Sequence, residues 1–205
     1  DVSDPESVRA AFAKLKAHFG RLDVLFNNAG VSAFAASVEE VPFEQWKKVV
    51  DINLTGAFLC TQEAFKIMKE QGIGGSMVFI GSKNSIYAGK NATAYSAVKA
   101  LEAHLARCIA AEGGQYGIRV NTVLPDAILQ GSAIWNSAWR NERAAAYGIE
   151  PDQLEEYYRK RTTLLVNVYP RDVAEAIAFF ASSKAAKTTG CMLTVDGGVP
   201  AAFTR

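Results

Sequence analysis

Two side chains capable of acid–base chemistry stand four residues apart near the middle of the chain, Tyr95 and Lys99. On an α-helix this spacing places them on one face, about one turn from each other. A phenol ordinarily ionises near pH ~10, so its use as a base near neutrality requires about 4 kcal/mol of differential stabilisation, part of which an adjacent ammonium can supply. Ser82 precedes Tyr95 by thirteen residues and follows an apolar run at 77–80, so its hydroxyl is expected at a strand end. The three residues predict proton transfer to or from a substrate oxygen.

Asparagines further upstream make this pattern more specific. Residues 27–30 read Asn-Asn-Ala-Gly, and Asn53 lies in a helical region. By themselves they have ordinary explanations, a polar turn and the cap of a helix break. In this order with Ser82, Tyr95 and Lys99, the residues resemble the short-chain dehydrogenase/reductase family. The resemblance implies an NAD(P)-dependent oxidoreductase that transfers a hydride between a nicotinamide cofactor and a small alcohol, aldehyde or sugar-derived hydroxy compound.

The family resemblance also implies a role for each of these residues. Tyr95 as phenolate takes the hydroxyl proton of the substrate, Lys99 lowers the pKa of the tyrosine and binds ribose hydroxyls, and Ser82 holds the substrate oxygen. Asn53 anchors a water that connects to Lys99. The implied cofactor contacts are Asp1, Val2, Asn28, Ala29, Gly30, Tyr95, Lys99, Pro125 and Ile128.

The composition argues against several other classes of function. The 205 residues carry 22 basic and 21 acidic side chains, so no strong field attracts nucleic acid or an anionic membrane. Cys60, Cys108 and Cys191 are interpreted as buried free thiols, and the two histidines have no partners at ligand spacing, so no metal site is expected. No apolar run approaches the ~18 residues of a membrane span, and the first residues are not a signal peptide. We expect a cytoplasmic protein that acts on a small molecule.

Apolar patterns predict strands that alternate with helices. Strands are expected at 22–26, 76–82, 118–125 and 191–195. Helices are expected at 5–19, 42–71, 92–113, 131–140, 154–159 and 170–180. The alternation predicts βαβ units and therefore an α/β fold, a Rossmann-like doubly wound parallel sheet in a single domain over residues 1–205.

One expected part of this fold is not found in the sequence. No Gly-x-x-x-Gly-x-Gly turn precedes Asn27, and Asp1 and Val2 resemble the residues that follow the family's third strand. We therefore predict an N-terminally truncated fold that lacks the first βαβαβ portion, on the order of sixty residues at about thirty per βα unit. The strand that ends near Asn27 then becomes an exposed apolar edge, which favours a homo-oligomer, either a dimer or a tetramer.

The segment 126–169 departs from the strand–helix rhythm and is predicted to be a substrate lid. Trp135, Trp139 and Arg140 are its candidate substrate contacts, and two amphipathic helices with solvated arginines explain the pattern equally well. The back half of the chain also resembles the dehydrogenase module of bifunctional rhamnulose-1-phosphate aldolase/lactaldehyde dehydrogenases, which implies a small hydroxyaldehyde substrate. The stretches that carry this resemblance are 125–127, 131–135, 155–159 and 202–205.

The cofactor and the activity of the chain by itself stay open at the level of sequence. The residue that selects NAD or NADP would lie in the absent segment, and the lactaldehyde resemblance favours NAD by analogy only. Asp126 departs from the family, which usually has glycine after this proline. The alternative function is a catalytically silent fragment that acts as an oligomerising or binding module.

Overall fold

The computed structural model describes residues 1–32, 35–131, 135 and 137–203. Its α-helices are α1 Pro5–Phe19, α2 Phe43–Val49, α3 Gly56–Gln71, α4 Thr93–Gly113, α5 Ser137–Tyr147, α6 Leu154–Lys160 and α7 Pro170–Ala181. Its strands are β1 Val24–Asn27, β2 Gly75–Ile80, β3 Ile118–Pro125 and β4 Met192–Val195. A π-helical turn, Val50–Thr55, joins α2 to α3, and a 3-10 turn, Lys83–Ser85, lies between β2 and α4.

Helix α1 begins and ends at its capping residues. Asp4 accepts a hydrogen bond from the backbone N–H of Glu6 at 3.0 Å, and Pro5 occupies the first turn, where its missing N–H leaves no helical bond unmade. Gly20 ends the helix at φ +70°, a conformation that glycine adopts without strain. The helix predicted at 5–19 is confirmed at both ends.

The four strands of the described residues form one parallel sheet in the order β1-β2-β3-β4. The central pair, β2 and β3, is in register from Gly75 opposite Ile118 to Ile80 opposite Val123. Helices α2 and α3 connect β1 to β2, α4 connects β2 to β3, and α5 to α7 lie between β3 and β4. The predicted Rossmann-like parallel sheet is confirmed. Because the strands are parallel, their carboxyl ends all lie at the same end of the sheet.

Helices cover both faces of the sheet. Met77 and Phe79 of β2 pack with residues of α3 and α4, whereas Val78 packs with residues of α7. Successive side chains of a strand point to opposite faces of the sheet. Both faces of this strand are apolar because helices cover both of them. The helices on each side make the arrangement doubly wound, as the sequence predicts.

Strand β1 lies at one edge of the described sheet. Val24 and Phe26 are 38% and 42% exposed, although Phe26 is the register partner of the fully buried Val78. An edge of this type presents backbone groups and apolar side chains that can pair with another strand. The prediction of an exposed apolar edge at this strand is confirmed.

Two expectations need correction. The helix predicted at 131–140 is displaced: α5 begins at Ser137 and extends to Tyr147, and Trp135 precedes it because its ring packs on Tyr158 of α6. Residues 132–134 and 136 of the predicted helix lie outside the described residues. The cysteines are free, but they are not buried as predicted, since Cys108 is exposed on α4 and the other two are half-buried. None of the described helices has the length and apolar character that a membrane span requires.

Candidate active site

A cleft of about 370 Å³ opens at the carboxyl ends of the strands. It lies among the loops that follow β1, β2 and β3, where open parallel sheets bind their ligands. The predicted site residues that line it are Asn28, Gly30, Asn53, Ser82, Tyr95, Lys99, Pro125, Ile128, Trp135 and Trp139. Residues from six separate parts of the chain thus meet in one cavity.

Lys99 is held by two contacts beside Tyr95. Its side chain is only 5% exposed, and its Nζ donates to the carbonyl of Ile80, at the end of β2, at 2.7 Å. The same Nζ lies 5.8 Å from the centre of the Tyr95 ring. The four-residue spacing on α4 therefore brings the ammonium next to the phenol.

Glu102 is a buried partner of Lys99 that the sequence patterns did not single out. Its Oε2 lies 2.7 Å from Lys99 Nζ, and the residue is 3% exposed on the same face of α4. Burial raises the pKa of the Glu102 carboxyl group, and Lys99 acts in the opposite direction. A pair with both members buried holds the lysine in one place, because either group would be left unpaired if the other moved. The sequence feature that could have identified Glu102 is its position three residues after the lysine, on a helix face that is otherwise apolar.

Ser82 is positioned by a small hydrogen-bonded turn fastened to α4. Its Oγ accepts from the backbone N–H of Asn84 at 3.2 Å, and Ser85 Oγ donates to the carbonyl of Lys99 at 2.8 Å. Asn84 Nδ2 donates to Ser96 Oγ at 3.2 Å. These bonds fix the end of β2 relative to the helix that carries Tyr95, so the serine hydroxyl and the phenol share one cleft.

Asn53 is fully buried in the π-helical turn and holds the loop after β1. Its Oδ1 accepts from the backbone N–H of Val31 at 2.8 Å, and its Nδ2 donates to the carbonyl of Val31 at 2.9 Å. A Cβ on Gly30 would lie 3.6 Å from the Asn53 amide, an ordinary contact. The asparagine therefore shapes the turn at 27–30. Its predicted role in anchoring a water stays a prediction.

Replacing Asn53 with Ala is expected to lower the free energy of unfolding by about 1–3 kcal/mol, since both polar groups of Val31 lose their partner. Denaturant unfolding of the variant and the parent protein measures this. Asn141→Ala, an exposed position on α5, serves as the control and is expected to change stability by less than about 0.5 kcal/mol. Equal stabilities of Asn53→Ala and the parent would contradict the structural role.

Asp126 anchors the segment after β3 through Arg161. Arg161 Nη2 donates to Oδ1 of Asp126 at 2.6 Å, and Arg161 Nε donates to Oδ2 at 3.2 Å. The guanidinium therefore binds the carboxylate in a bidentate manner. Burial acts to lower the pKa of Arg161, but Asp126 outweighs it and the pKa lies above its ordinary value. The aspartate that departs from the family pattern is thus the ion-pair partner of an arginine at the end of α6.

Aromatic side chains form one wall of the cleft. Tyr147 stacks on Tyr157 with ring centres 4.5 Å apart, and Trp135 meets Tyr158 edge to face at 5.4 Å. All four residues line the cleft together with Trp139. Stacked and edge-on pairs of this kind give a rigid apolar surface.

Arg140 is not among the residues that line the cleft. Its guanidinium donates to the carbonyl of Leu129 at 3.0 Å and to that of Trp135 at 3.3 Å. It braces the loop after β3, and Arg143, one turn further along α5, lines the cleft in its stead. Sequence spacing identifies the basic face of this helix but not which arginine points into the cavity.

Three of the implied cofactor contacts also lie outside the cleft. Asp1 is exposed, and its carboxylate accepts hydrogen bonds from the backbone and side chain of Ser3 at 2.9 and 2.8 Å. Val2 packs on Gly56, where an added Cβ would approach within 2.8 Å of Val2 Cγ2. Ala29 is exposed in the turn after β1. Their roles toward a cofactor stay predictions.

The residues of the cleft fit the nicotinamide and ribose half of a dinucleotide. A buried ammonium, a phenol and the amide of Asn28 are suitable donors for ribose hydroxyls, and the backbone at Ile128 can meet a carboxamide. The described residues offer no glycine-rich turn at a helix N-terminus for the pyrophosphate. Within the same described ranges, no cluster of three His, Cys, Asp or Glu side chains could hold a metal ion.

Comparisons with known proteins find relatives over the whole length of the chain. Residues 1–200 match a family model described as enoyl-(acyl carrier protein) reductase. The chain is 68% identical over its whole length to the uncharacterized oxidoreductase YuxG of Bacillus subtilis, of which it spans 30%. It is 36% identical to D-threitol dehydrogenase of Mycolicibacterium smegmatis, with 97% of this chain and 70% of that protein covered.

A solved structure gives the same answer for the fold. Sorbitol-6-phosphate 2-dehydrogenase SrlD from Erwinia amylovora superposes with a TM-score of 0.93 at 31% identity, covering 100% of this chain and 78% of that one. The family model covers nearly the whole chain, and the relatives compared here are named oxidoreductases or dehydrogenases. The chain belongs to the short-chain dehydrogenase/reductase family.

Proposed function

We propose that this chain is the catalytic part of a nicotinamide-dependent dehydrogenase that oxidises a CH–OH group of a small polyhydroxy compound or reduces the corresponding carbonyl. The observation that carries the proposal is the convergence of Tyr95, Lys99 and Ser82 on one cleft, with the lysine buried and held by Ile80 O at 2.7 Å. D-Threitol and sorbitol 6-phosphate, which occur in the names of two relatives, are both small polyols and support a substrate of this type.

Each residue has a defined task in the proposed mechanism. In the direction of oxidation, Ser82 donates a hydrogen bond to the substrate oxygen and Tyr95, as phenolate, accepts the hydroxyl proton. Lys99 stabilises that phenolate by its charge and donates to ribose hydroxyls. When bound, the oxidised nicotinamide supplies the hydride acceptor for the substrate carbon. In the reverse direction Tyr95 returns the proton to the carbonyl oxygen, so one group acts as base and as acid.

In this proposal the aromatic wall covers the part of the cleft that binds the substrate. Trp135, Trp139 and the tyrosines of α5 and α6 give the segment 126–169 the role of a lid that excludes water from the reacting atoms. We propose NAD as the carrier, which the lactaldehyde resemblance favours by analogy. The cytoplasmic location, the homo-oligomeric state and the resemblance to a lactaldehyde dehydrogenase module stay predictions.

The proposal is tested with the full-length protein that carries this chain. D-Threitol, D-sorbitol, D-gluconate and sorbitol 6-phosphate are each supplied with NAD⁺ or NADP⁺, and formation of the reduced nicotinamide is followed by absorbance. Saturable turnover of at least one compound supports a dehydrogenase. If the protein neither binds either cofactor in a fluorescence titration nor reduces it, the proposal is wrong.

A non-catalytic binding module is the second candidate, and the exposed β1 edge favours it. Val24 and Phe26 offer an apolar strand to another chain. The same titration, combined with a measurement of mass in solution, separates the two functions. A large oligomer that binds no cofactor supports the module, whereas micromolar cofactor binding with turnover supports the enzyme.

A further inference from the structure

Lys83 is a buried cation that forms no ion pair with the described residues. It follows Ser82 directly, lines the cleft and is 9% exposed. Its Nζ lies 5.1 Å from the centre of the Tyr87 ring, and within the described part of the chain no carboxylate lies within ion-pair distance of it. A buried charge is costly unless it is paired, so a position of this kind next to reactive groups calls for an anion from outside the chain.

One of the two carboxylates that act on Lys83 is already engaged. Asp126 accepts hydrogen bonds from both Nε and Nη2 of Arg161 and is therefore the ion-pair partner of that guanidinium. Burial lowers the pKa of the Lys83 ammonium, and Arg161 and Arg143 lower it further, while Asp126 and Asp196 act in the opposite direction. Two guanidinium groups and two carboxylates thus act on Lys83, and burial is the largest influence on its pKa.

Arg143 adds a second cation to the cleft, and its charge acts on Lys83. Its guanidinium lies 4.9 Å from the Trp139 ring centre and 5.9 Å from that of Tyr147, and it forms no ion pair with any carboxylate of the described residues. Stacking on aromatic rings orients a guanidinium while leaving its N–H groups free for a planar or tetrahedral oxyanion. Lys83 and Arg143 therefore border one cavity with unneutralised charge.

Other lining cations do not contribute in the same way. Lys99 is paired with Glu102 at 2.7 Å, and Arg161 is paired with Asp126. Lys90 also lines the cleft but is exposed, so water screens it. The unmatched charge that a bound molecule would meet is therefore concentrated at Lys83 and Arg143.

From this arrangement we infer that the substrate of the cleft is a small hydroxy compound that carries an anionic oxyacid group, a carboxylate or a phosphate, bound by Lys83 and Arg143. The inference rests on the proposed function and adds the substrate class to it. Because Lys83 is adjacent in sequence to Ser82, which holds the reacting oxygen, the anionic group lies a short distance along the substrate from the reacting carbon. A cavity of about 370 Å³ that also receives the nicotinamide restricts the substrate to a small molecule.

The first test compares anionic and neutral alcohols in the full-length protein. Sorbitol 6-phosphate and D-gluconate represent the two oxyacids, and D-sorbitol and D-threitol are the neutral counterparts. We expect Lys83→Gln to lower kcat/KM for the preferred anionic compound by about 10- to 100-fold, mainly through KM, because one hydrogen bond to a charged group is lost. Lys83→Arg, which keeps the charge, is expected to retain the preference.

Lys187→Gln is the matched control. This exposed lysine precedes β4 at the opposite edge of the sheet and lies outside the residues that line the cleft, so its loss is expected to leave the preference unchanged. If the parent protein uses neutral compounds as well as anionic ones, and Lys83→Gln does not alter the ratio, the inference is overturned while the dehydrogenase proposal stands. A rise in the KM of the cofactor, with the substrate KM unchanged, also overturns it.

A second readout does not depend on turnover. Trp135 and Trp139 line the cleft, so their fluorescence can report the binding of inorganic phosphate or acetate. We expect a saturable change in the parent protein that is weakened at least about tenfold in Lys83→Gln, with the thermal unfolding of both proteins recorded alongside. Equal anion affinities in two folded proteins would overturn the inference even if the protein catalyses no reaction.

Discussion

Tyr95→Phe is expected to lower kcat by about 10²- to 10⁴-fold while leaving the fold intact, because it removes only the oxygen that exchanges the proton. The ring remains, so the half-buried packing of the residue at the start of α4 is preserved. Neither of its two proposed partners can replace the phenol, since Ser82 is a weak acid and Lys99 is held by Ile80 O and Glu102. The rate of nicotinamide reduction at saturating substrate measures the effect.

The control for this variant is Tyr116→Phe. Tyr116 lies beyond the end of α4, packs against Phe65 with ring centres 5.9 Å apart and is not part of the cleft. It loses the same hydroxyl without touching the proposed chemistry, so its rate should match that of the parent. If Tyr95→Phe turns over at the parental rate, Tyr95 is not the acid–base group and the mechanism is wrong.

Lys99→Met is expected to abolish turnover and also to destabilise the protein by about 3–5 kcal/mol. The second effect arises because Glu102 is 3% exposed and would lose its only close cation among the described residues. Methionine fills a similar volume, so the loss is mainly electrostatic. Denaturant unfolding and the steady-state rate measure the two effects on the same preparation.

The double variant Lys99→Met/Glu102→Leu separates structure from chemistry. Replacing a buried pair by apolar residues of similar volume is often neutral, so most of the stability should return while activity stays absent. Lys16→Met is the exposed counterpart, since Lys16 and its partner Glu70 are both exposed, and it should cost less than about 1 kcal/mol. A double variant as unstable as Lys99→Met would contradict the role assigned to Glu102.

The instability of Lys99→Met is expected to depend on pH. Burial raises the pKa of Glu102 above its ordinary value, and loss of Lys99 removes the opposing influence. The unfolded state then binds fewer protons than the folded state over the interval between the two pKa values, so stability falls as the pH rises through that interval. The single variant should therefore be closest to the parent below pH ~4.5 and furthest from it near neutrality. A pH-independent difference would contradict this.

Local patterns in the sequence were sufficient for the elements that depend on neighbouring residues. Helix α1 has its cap at Asp4 and its terminating glycine at Gly20, and both act within a few residues of chain. The strand at 118–125 is recognisable from its β-branched residues, which favour extended structure, and from the proline that ends it. The start of α5 was misplaced because the ring of Trp135 packs on Tyr158, a contact of distant residues.

The sequence by itself was sufficient to predict the acid–base set proposed for this protein and to identify the family to which it belongs. A phenol and an ammonium one helical turn apart, with a serine at a strand end, depend on spacing along the chain, and spacing is readable without coordinates. Only the tertiary structure decided which charged residues surround that set and which of them are paired. Glu102 is important because it is buried beside Lys99. Lys83 is important because it lines a cleft in which Arg161 is already paired with Asp126. Burial and pairing depend on contacts between distant residues, because the energy of a charge is set by everything packed around it.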